Sequence, residues 1–421
     1  MFRFTNLIIF ELTRDCNLNC KYCLMQEKYK HRGEIIDFEL FKKIINRIAE
    51  QRILNGKDQE EFHINFHGGE CTLIGKYNFT RFLDYVTKTY DELGLNYKLG
   101  IQTNGTLLDE EFLKILRHYN LSVGISYDGT GEKKPLRYST DIQSKLEDTI
   151  KLCTKMKVPI GVLGVLSKNN SNNLVKDSIS QFKKLGIFSK YSFLEDLQNP
   201  YDSKIELTGK QIFKRAYKPI IDFYIKTGIK LEQHTIALMT DTLTDILCYH
   251  PRRYETGCSG LICGAGMTMI AVRPDGTMGY CDRYSKDFNE NYIEHALDYD
   301  FLGLHQLSKA IKLVQIKHRI IQKVGCDTCR ANYMCENGCL AFYYSKFGKY
   351  DIQKELICDQ YLLTYDYVRK NLVKILLSSI DKHFILPAGI HDIKPYYVDL
   401  FKNKYKIKLT IIDNILYIYK V

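Results

Sequence analysis

The spacing of apolar residues changes character about halfway along the chain. Up to about residue 200, short β-branched or apolar runs alternate with longer stretches of helical period, the pattern of successive βα units around a parallel sheet. The runs predict strands over 7–13, 62–67, 97–103, 121–128, 160–167 and 191–196. Between the first two, Phe38, Phe41, Ile44, Ile45 and Ile48 recur on one face, which predicts an amphipathic helix over 37–53. Six such units make an incomplete barrel rather than a closed eight-fold one. Chemistry in such architectures collects at the C-terminal ends of the strands, where the βα loops converge.

The second half loses this period. A helical linker is expected over about 207–248, followed by a Cys- and Gly-rich stretch over 258–358. The irregular pattern there predicts loops ordered by metal rather than by a hydrophobic core. A helix through 362–377, a shorter one near 393–404, and two alternating runs about Asp413-Asn414 close the chain, the last predicting a β-hairpin over 405–420. The expected fold is α/β, a partial (β/α)6 TIM-like barrel followed by a cysteine-rich domain and a small C-terminal α+β extension. The expected boundaries are 1–205 for the barrel, 206–257 for the linker, 258–362 for the cysteine-rich domain and 363–421 for the extension.

Composition narrows the partners. The chain has 421 residues, 45% of them hydrophobic and 26% charged, as in an ordinary folded protein with one large core and a satellite domain. Lys and Arg outnumber Asp and Glu by 60 to 49, but they are scattered rather than gathered with aromatics, so nucleic acid is not an expected partner. No cleavable signal is visible and no window approaches the roughly 18 apolar residues of a membrane span, so no membrane partner and a cytoplasmic location are expected. In that reducing compartment, 14 cysteines point to metal binding rather than to a disulfide framework.

Cys16, Cys20 and Cys23 lie in one loop directly after the first strand, with three and then two residues between them. Three thiolates on a short loop can hold three corners of an iron–sulfur cubane and leave the fourth iron open to a chelating ligand. A structural zinc site instead prefers four closed ligands with paired two-residue spacings. Further on, Cys326, Cys329, Cys335 and Cys339 are spaced by two, five and three residues, with Cys258, Cys263 and Cys281 upstream and Cys358 downstream. Eight such ligands close two cubanes. A pair of zinc sites is the rival for this second set, since tetrahedral thiolate sites suit both metals, and the triad favours iron. Cys71, Cys153 and Cys248 fall outside both patterns and read as packing residues.

This triad resembles the hallmark of the radical S-adenosylmethionine (SAM) superfamily, and the resemblance extends along the barrel. His67-Gly68-Gly69-Glu70 matches the family's Gly-Gly-Glu motif, implying that Gly68 and Gly69 allow close approach and that Glu70 receives the methionine ammonium. Cys71 stands where the family usually has Pro. Thr103, Asn104, Ser126 and Asp128 match positions that contact the cofactor's amino-acid and ribose groups, and Tyr22 the aromatic that packs on adenine. The later cysteines, with Gly276 ahead of Cys281, resemble the SPASM domain of peptide-modifying radical enzymes. That resemblance assigns Cys258, Cys263, Cys281 and Cys339 to a nearer auxiliary cluster and Cys326, Cys329, Cys335 and Cys358 to a farther one.

The implied cofactors are therefore three 4Fe-4S clusters and S-adenosyl-L-methionine. The implied reaction is hydrogen abstraction from a residue of a peptide or protein, installing a thioether or carbon–carbon crosslink, with a flavodoxin or ferredoxin-type reductant as electron donor. The alternative is formylglycine formation by an anaerobic sulfatase-maturating enzyme, in which an acidic residue at the position of Asp282 acts as base. Asp282 also reads as an ordinary turn carboxylate. Many peptide maturases carry a leader-recognition winged helix ahead of the barrel. Here the triad begins at residue 16, so recognition is expected from a separate leader-peptide recognition protein, from the C-terminal hairpin, or from a substrate without a leader. A reading from another class is a redox or regulatory binding protein whose clusters support no radical chemistry.

Overall fold

The computed structural model describes residues 5–23, 33–129, 136–137, 140–172, 174–185, 191–194, 206–249, 256–257, 262–266, 268–282, 292–299, 322–323, 325–335, 339, 341, 354–387 and 389–421. Its first half is a succession of βα units: β1 (Leu7–Thr13), α1 (Phe38–Leu54), β2 (Phe62–Gly68), α2 (Gly75–Glu92), β3 (Tyr97–Thr103), α3 (Glu110–His118), β4 (Ser122–Ser126), α4 (Thr140–Lys155), β5 (Ile160–Val165), α5 (Leu174–Leu185) and β6 (Tyr191–Leu194). The strands pair in parallel in that order, as the alternating periods predict. Helix α1 starts where Asp37 accepts the Leu40 N–H at 2.9 Å, and it buries Phe41, Ile44, Ile45 and Ile48 against the sheet.

Within each strand the two faces differ. On β2, Phe62, Ile64 and Phe66 are fully buried under the helices, while Asn65 and His67 look into the barrel. Register carries this inner face across the sheet: Asn65 pairs with Gly100, Gln102 with Gly124, and Gly124 with Gly161. The Asn65 carboxamide oxygen stands 2.2 Å from where a Cβ on Gly100 would sit, and that of Gln102 stands 2.2 Å from the equivalent point on Gly124. The bore is thus lined by amides and glycines rather than by the branched apolar layers of a closed barrel.

The helical linker appears as α6 (Gly209–Ile212), one π turn, α7 (Lys218–Thr227) and α8 (Gln233–Leu247). Beyond it, β7 (Thr256–Gly257) and β8 (Ile262–Cys263) pair with each other. The next strands, β9 (Met269–Val272), β10 (Thr277–Gly279) and β11 (Tyr292–His295), correct the expectation of metal-ordered loops. β9 runs parallel to β1, giving seven parallel strands, and β10 and β11 continue the sheet antiparallel. Ile270, Ala271, Val272 and Met278 are fully buried, so this part has a hydrophobic core, shared with the barrel. The short runs were too brief for period analysis to separate from loops.

The chain continues through α9 (Asn332–Cys335), α10 (Lys354–Lys370) and α11 (Leu372–Leu377), so the single helix expected over 362–377 is broken at Asn371. β12 (Lys382–Ile385), α12 (Pro395–Tyr405), β13 (Ile407–Ile412) and β14 (Ile415–Lys420) complete it. Asp413 and Asn414 both have positive φ, 49° and 58°, the type I′ geometry of a two-residue hairpin. β12 adds a third antiparallel strand that the sequence did not reveal. Among the described residues no helix is long and apolar enough to cross a membrane.

Candidate active site

The loop carrying Cys16, Cys20 and Cys23 is fixed by backbone contacts to the end of β2. Gly69 N–H donates to the Thr13 carbonyl at 2.9 Å and Glu70 N–H to the Asp15 carbonyl at 2.7 Å. A Cβ on Gly68 would lie 2.1 Å from the Thr13 oxygen, and one on Gly69 2.1 Å from the Asp15 oxygen. The two glycines are therefore needed to seat the cysteine loop on the sheet, a reason different from the ligand approach anticipated for them. From β3, the Asn104 amide donates to Asn17 Oδ1 at 2.8 Å, and from the far side Lys21 N–H donates to the Leu136 carbonyl at 2.9 Å.

This loop closes a cavity of about 220 Å³ at the C-terminal end of the strands. The three cysteines line it together with Tyr22, Gly68, Gly69, Glu70, Thr103, Asn104, Ser126 and Asp282. Glu70 is 2% exposed: its Oε1 accepts from Thr72 and Thr103 hydroxyls, each at 2.6 Å, and Oε2 from the Asn104 N–H at 2.6 Å. All those donors are neutral, and among the described residues no Lys or Arg lies within ion-pair distance of Glu70. A buried carboxylate on a cavity wall without a cationic partner suits an ammonium ligand. Three soft thiols on the facing loop suit an iron–sulfur cluster with an open iron. Among the described residues no three or more His, Cys, Asp or Glu side chains are gathered to hold a single metal ion.

Asp128 does not reach this cavity. It is 3% exposed, and its carboxylate is occupied by the Arg137 guanidinium at 3.1 and 3.2 Å, by the Val165 N–H at 2.9 Å and by the Tyr22 hydroxyl. Burial opposes the Arg137 charge, but Asp128 overrides it and holds the guanidinium pKa well above its ordinary value. Arg137, which lies 5.2 Å from the Tyr22 ring centroid, joins Tyr22 and Val165 on the wall. It offers a fixed positive charge in the cavity that Glu70 also lines, so the wall presents both signs to a zwitterionic amino acid.

Asp282 enters the cavity because β10 returns beside β9. Gly276, at φ +78°, turns this hairpin, and its Cβ position is already filled by the His295 ring, with Nε2 at 2.3 Å. The strand then delivers Cys281, 7% exposed, and Asp282. Cys326 and Cys329 lie on a short turn, Cys335 ends α9, and Cys358 lies on α10, which packs against α9. Cys339 is partly buried. Cys258, Arg283 and Tyr284 lie outside the described residues, as does the side chain of Cys263. Cys71, Cys153 and Cys248 are fully buried, and burial pushes the Cys71 thiol well above its ordinary pKa. Its Sγ–H reaches the Phe66 and Gln102 carbonyls at 3.7 and 3.5 Å, so it is a packed thiol rather than a reactive thiolate.

Three wall residues escaped the sequence reading: Glu11, Arg137, and His67, which was noted only as a neighbour of the glycines. Glu11 was visible as the single charge in the apolar run LIIFELT, alternating with Leu7 and Ile9 onto the inner face. Burial pushes its carboxyl above the usual range, against the pull of Arg273 and Arg14. Arg137 carried no pattern.

Residues 10–181 match the radical SAM superfamily. The chain is 27% identical over 343 residues to a cysteine-type anaerobic sulfatase-maturating enzyme of Clostridium novyi, covering 79% of this chain and 87% of that one. It is 26% identical over 292 residues to the antilisterial bacteriocin subtilosin biosynthesis protein AlbA of Bacillus subtilis, covering 68% and 57%. The solved anaerobic sulfatase-maturating enzyme anSMEcpe with bound AdoMet and the Cp18Cys peptide shares the fold with TM-score 0.67 and 22% identity, over 88% of this chain and 98% of that one. The α/β architecture is thus a TIM-like partial barrel, the fold shared with that structure. Residues 10–181 thus match a radical SAM domain, and the relatives similar to this chain over most of its length include enzymes that mature proteins or peptides.

Proposed function

We propose that the chain is a peptide or protein maturase that abstracts a hydrogen atom from a substrate residue and releases the oxidised product. One observation carries this reading: the three loop thiols, the Glu70 carboxylate, which has no cationic partner among the described residues, and Asp282 share a single cavity. Cys16, Cys20 and Cys23 would hold the open-site 4Fe-4S cluster; Glu70 would take the methionine ammonium, with Thr103 and Asn104 fixing the carboxylate. Ser126 and Tyr22 would contact the remainder of S-adenosyl-L-methionine, and Asp128 would act through Arg137. When bound, the cluster supplies the electron that cleaves S-adenosylmethionine to methionine and a 5′-deoxyadenosyl radical. Asp282, which lines the same cavity, would take the proton that leaves the substrate after hydrogen abstraction.

The cysteines beyond residue 257 would close two further clusters, Cys258, Cys263, Cys281 and Cys339 the nearer and Cys326, Cys329, Cys335 and Cys358 the farther. Full ligation by thiolates favours an electron-accepting role, because a closed cluster has no open iron. We propose the domain limits 1–205, 206–257, 258–362 and 363–421, with β9 to β11 of the third extending the sheet of the first. A flavodoxin or ferredoxin-type protein would supply electrons in the cytoplasm.

The product proposed is a thioether or carbon–carbon crosslink in a ribosomal peptide. Formylglycine formation is the second reading, favoured by the near end-to-end match with sulfatase-maturating enzymes. Mass spectrometry of the modified substrate separates them, since a thioether retains cysteine sulfur and formylglycine made from cysteine loses it. The role of Asp282 is tested by Asp282→Asn. Loss of a positioned base typically lowers product formation about a hundred- to ten-thousand-fold, with 5′-deoxyadenosine still released. Product at the wild-type rate would remove Asp282 from the chemistry.

A further inference from the structure

His67 belongs to two cavities at once. One is the candidate active site; the other, of about 400 Å³, lies in the barrel bore between Asn65, Gln102, Ser122, Gly124 and Gly161. This bore mixes the polar groups of Asn65, Gln102 and Ser122 with the apolar Ile101, Val123 and Ile160, is roomy enough for several waters, and nothing lies within 4 Å of a Cβ built on Gly161. On its active-site side, His67 Nδ1 stands 3.8 Å from Asp282 Oδ2, with the two side chains 28% and 30% exposed. That is longer than a hydrogen bond, and hydrogen bonds at reaction centres are often long until substrate is bound.

The charged groups around the ring are Glu11, its register partner on β1, Glu70 beyond the end of β2, and Asp282 beyond β10, with Arg14 and Arg273 near Glu11. Burial lowers the imidazole pKa, against the pull of Asp282 and Glu70, which favours the neutral ring. A neutral imidazole has one N–H donor and one acceptor, and a carboxylate can only accept. Asp282 beside Nδ1 therefore selects the tautomer with hydrogen on Nδ1, leaving Nε2 in need of a donor.

We propose that His67 is a positioning residue: its Nδ1–H holds the Asp282 carboxylate toward the reaction cavity, while water in the barrel bore donates to Nε2. The inference deepens the proposed role of Asp282 and rests on it for its functional meaning. As a mere space-filler, His67 would have no tautomer tied to Asp282.

Nitrogen-15 spectra of histidine-labelled, metal-free full chain test this directly. The wild type is expected to show His67 with hydrogen on Nδ1. Asp282→Ala is expected to lose that preference, because the carboxylate beside Nδ1 is gone. Gly161→Leu is expected to fill the bore and shift the Nε2 resonance with Nδ1 unchanged. Hydrogen on Nε2 in the wild type, or an unchanged tautomer in Asp282→Ala, overturns the proposal. If Asp282→Ala fails to fold, by its amide spectrum, the wild-type tautomer alone decides. No metal or S-adenosylmethionine enters the measurement, so its failure leaves the radical reading standing. Absence of 5′-deoxyadenosine from loaded enzyme, with the tautomer as expected, would sink that reading alone.

Discussion

The loop of Cys16, Cys20 and Cys23 and the segment of Cys326, Cys329 and Cys335 carry the same thiol donors on opposite kinds of scaffold. The first is clamped between strand ends: two glycines remove the Cβ atoms that would collide with it, and hydrogen bonds reach it from the ends of β2 and β3. The second sits on a three-residue turn and a four-residue helix. It is tied to α10 by the half-exposed Arg330–Asp366 ion pair and to α8 by the Thr242 hydroxyl on Met334 sulfur at 3.1 Å. An exposed ion pair contributes little, about 1 kcal/mol or less. The first site is shaped by the chain itself, whereas on the proposed reading the second would draw more of its order from bound metal.

The largest consequence concerns the cysteines. Replacing Cys16, Cys20 and Cys23 by Ala should remove about four irons and all cofactor cleavage, with little loss of folding stability. Replacing Cys326, Cys329 and Cys335 should remove a similar amount of iron and also lower the melting temperature of the loaded protein, because there metal binding is folding energy. Iron analysis beside thermal unfolding reads both, and equal melting temperatures for the two sets would break the contrast.

A smaller effect tests the clamp itself. Gly69→Ala drives a Cβ into the Asp15 carbonyl and should cost about 1–3 kcal/mol in denaturant unfolding of the metal-free chain. Gly161→Ala enters open space and should change stability by less than about 0.5 kcal/mol. Similar costs at the two positions would mean that the glycines at the loop are not there for packing.

The smallest effect is on pH dependence. The His67 pKa is lowered in the folded state, so the unfolded chain binds the extra proton first on acidification. Stability from this group is full above the ordinary histidine pKa of about 6.5 and is lost as pH falls toward the lowered folded value. His67→Gln should therefore lose less stability than the wild type over that interval. An identical acid limb in denaturant titrations would show that burial of the ring carries no such penalty.

The barrel and its first cysteine loop were legible because strand and helix periods are long and the three cysteines are local. Glu70, Thr103 and Asn104 were legible by motif, and the structure joins them in one hydrogen-bonded group. Contacts set by register or tertiary packing left no local trace. β9 pairs with β1 across some 260 residues, and β12 completes the C-terminal sheet with only four residues. Arg137 takes the carboxylate of Asp128, which moves the group facing the cavity from the acid to the base. The glycines of the Gly-Gly-Glu motif were found, but their packing partner, the backbone of Thr13 and Asp15, could be seen only in three dimensions.

The central claim is tested most directly by reconstituting the full chain with iron and sulfide under anaerobic conditions and reducing it with dithionite in the presence of S-adenosylmethionine. The account predicts about twelve irons per chain and release of 5′-deoxyadenosine and methionine. Stoichiometric zinc with little iron, or full iron loading without 5′-deoxyadenosine, would contradict it.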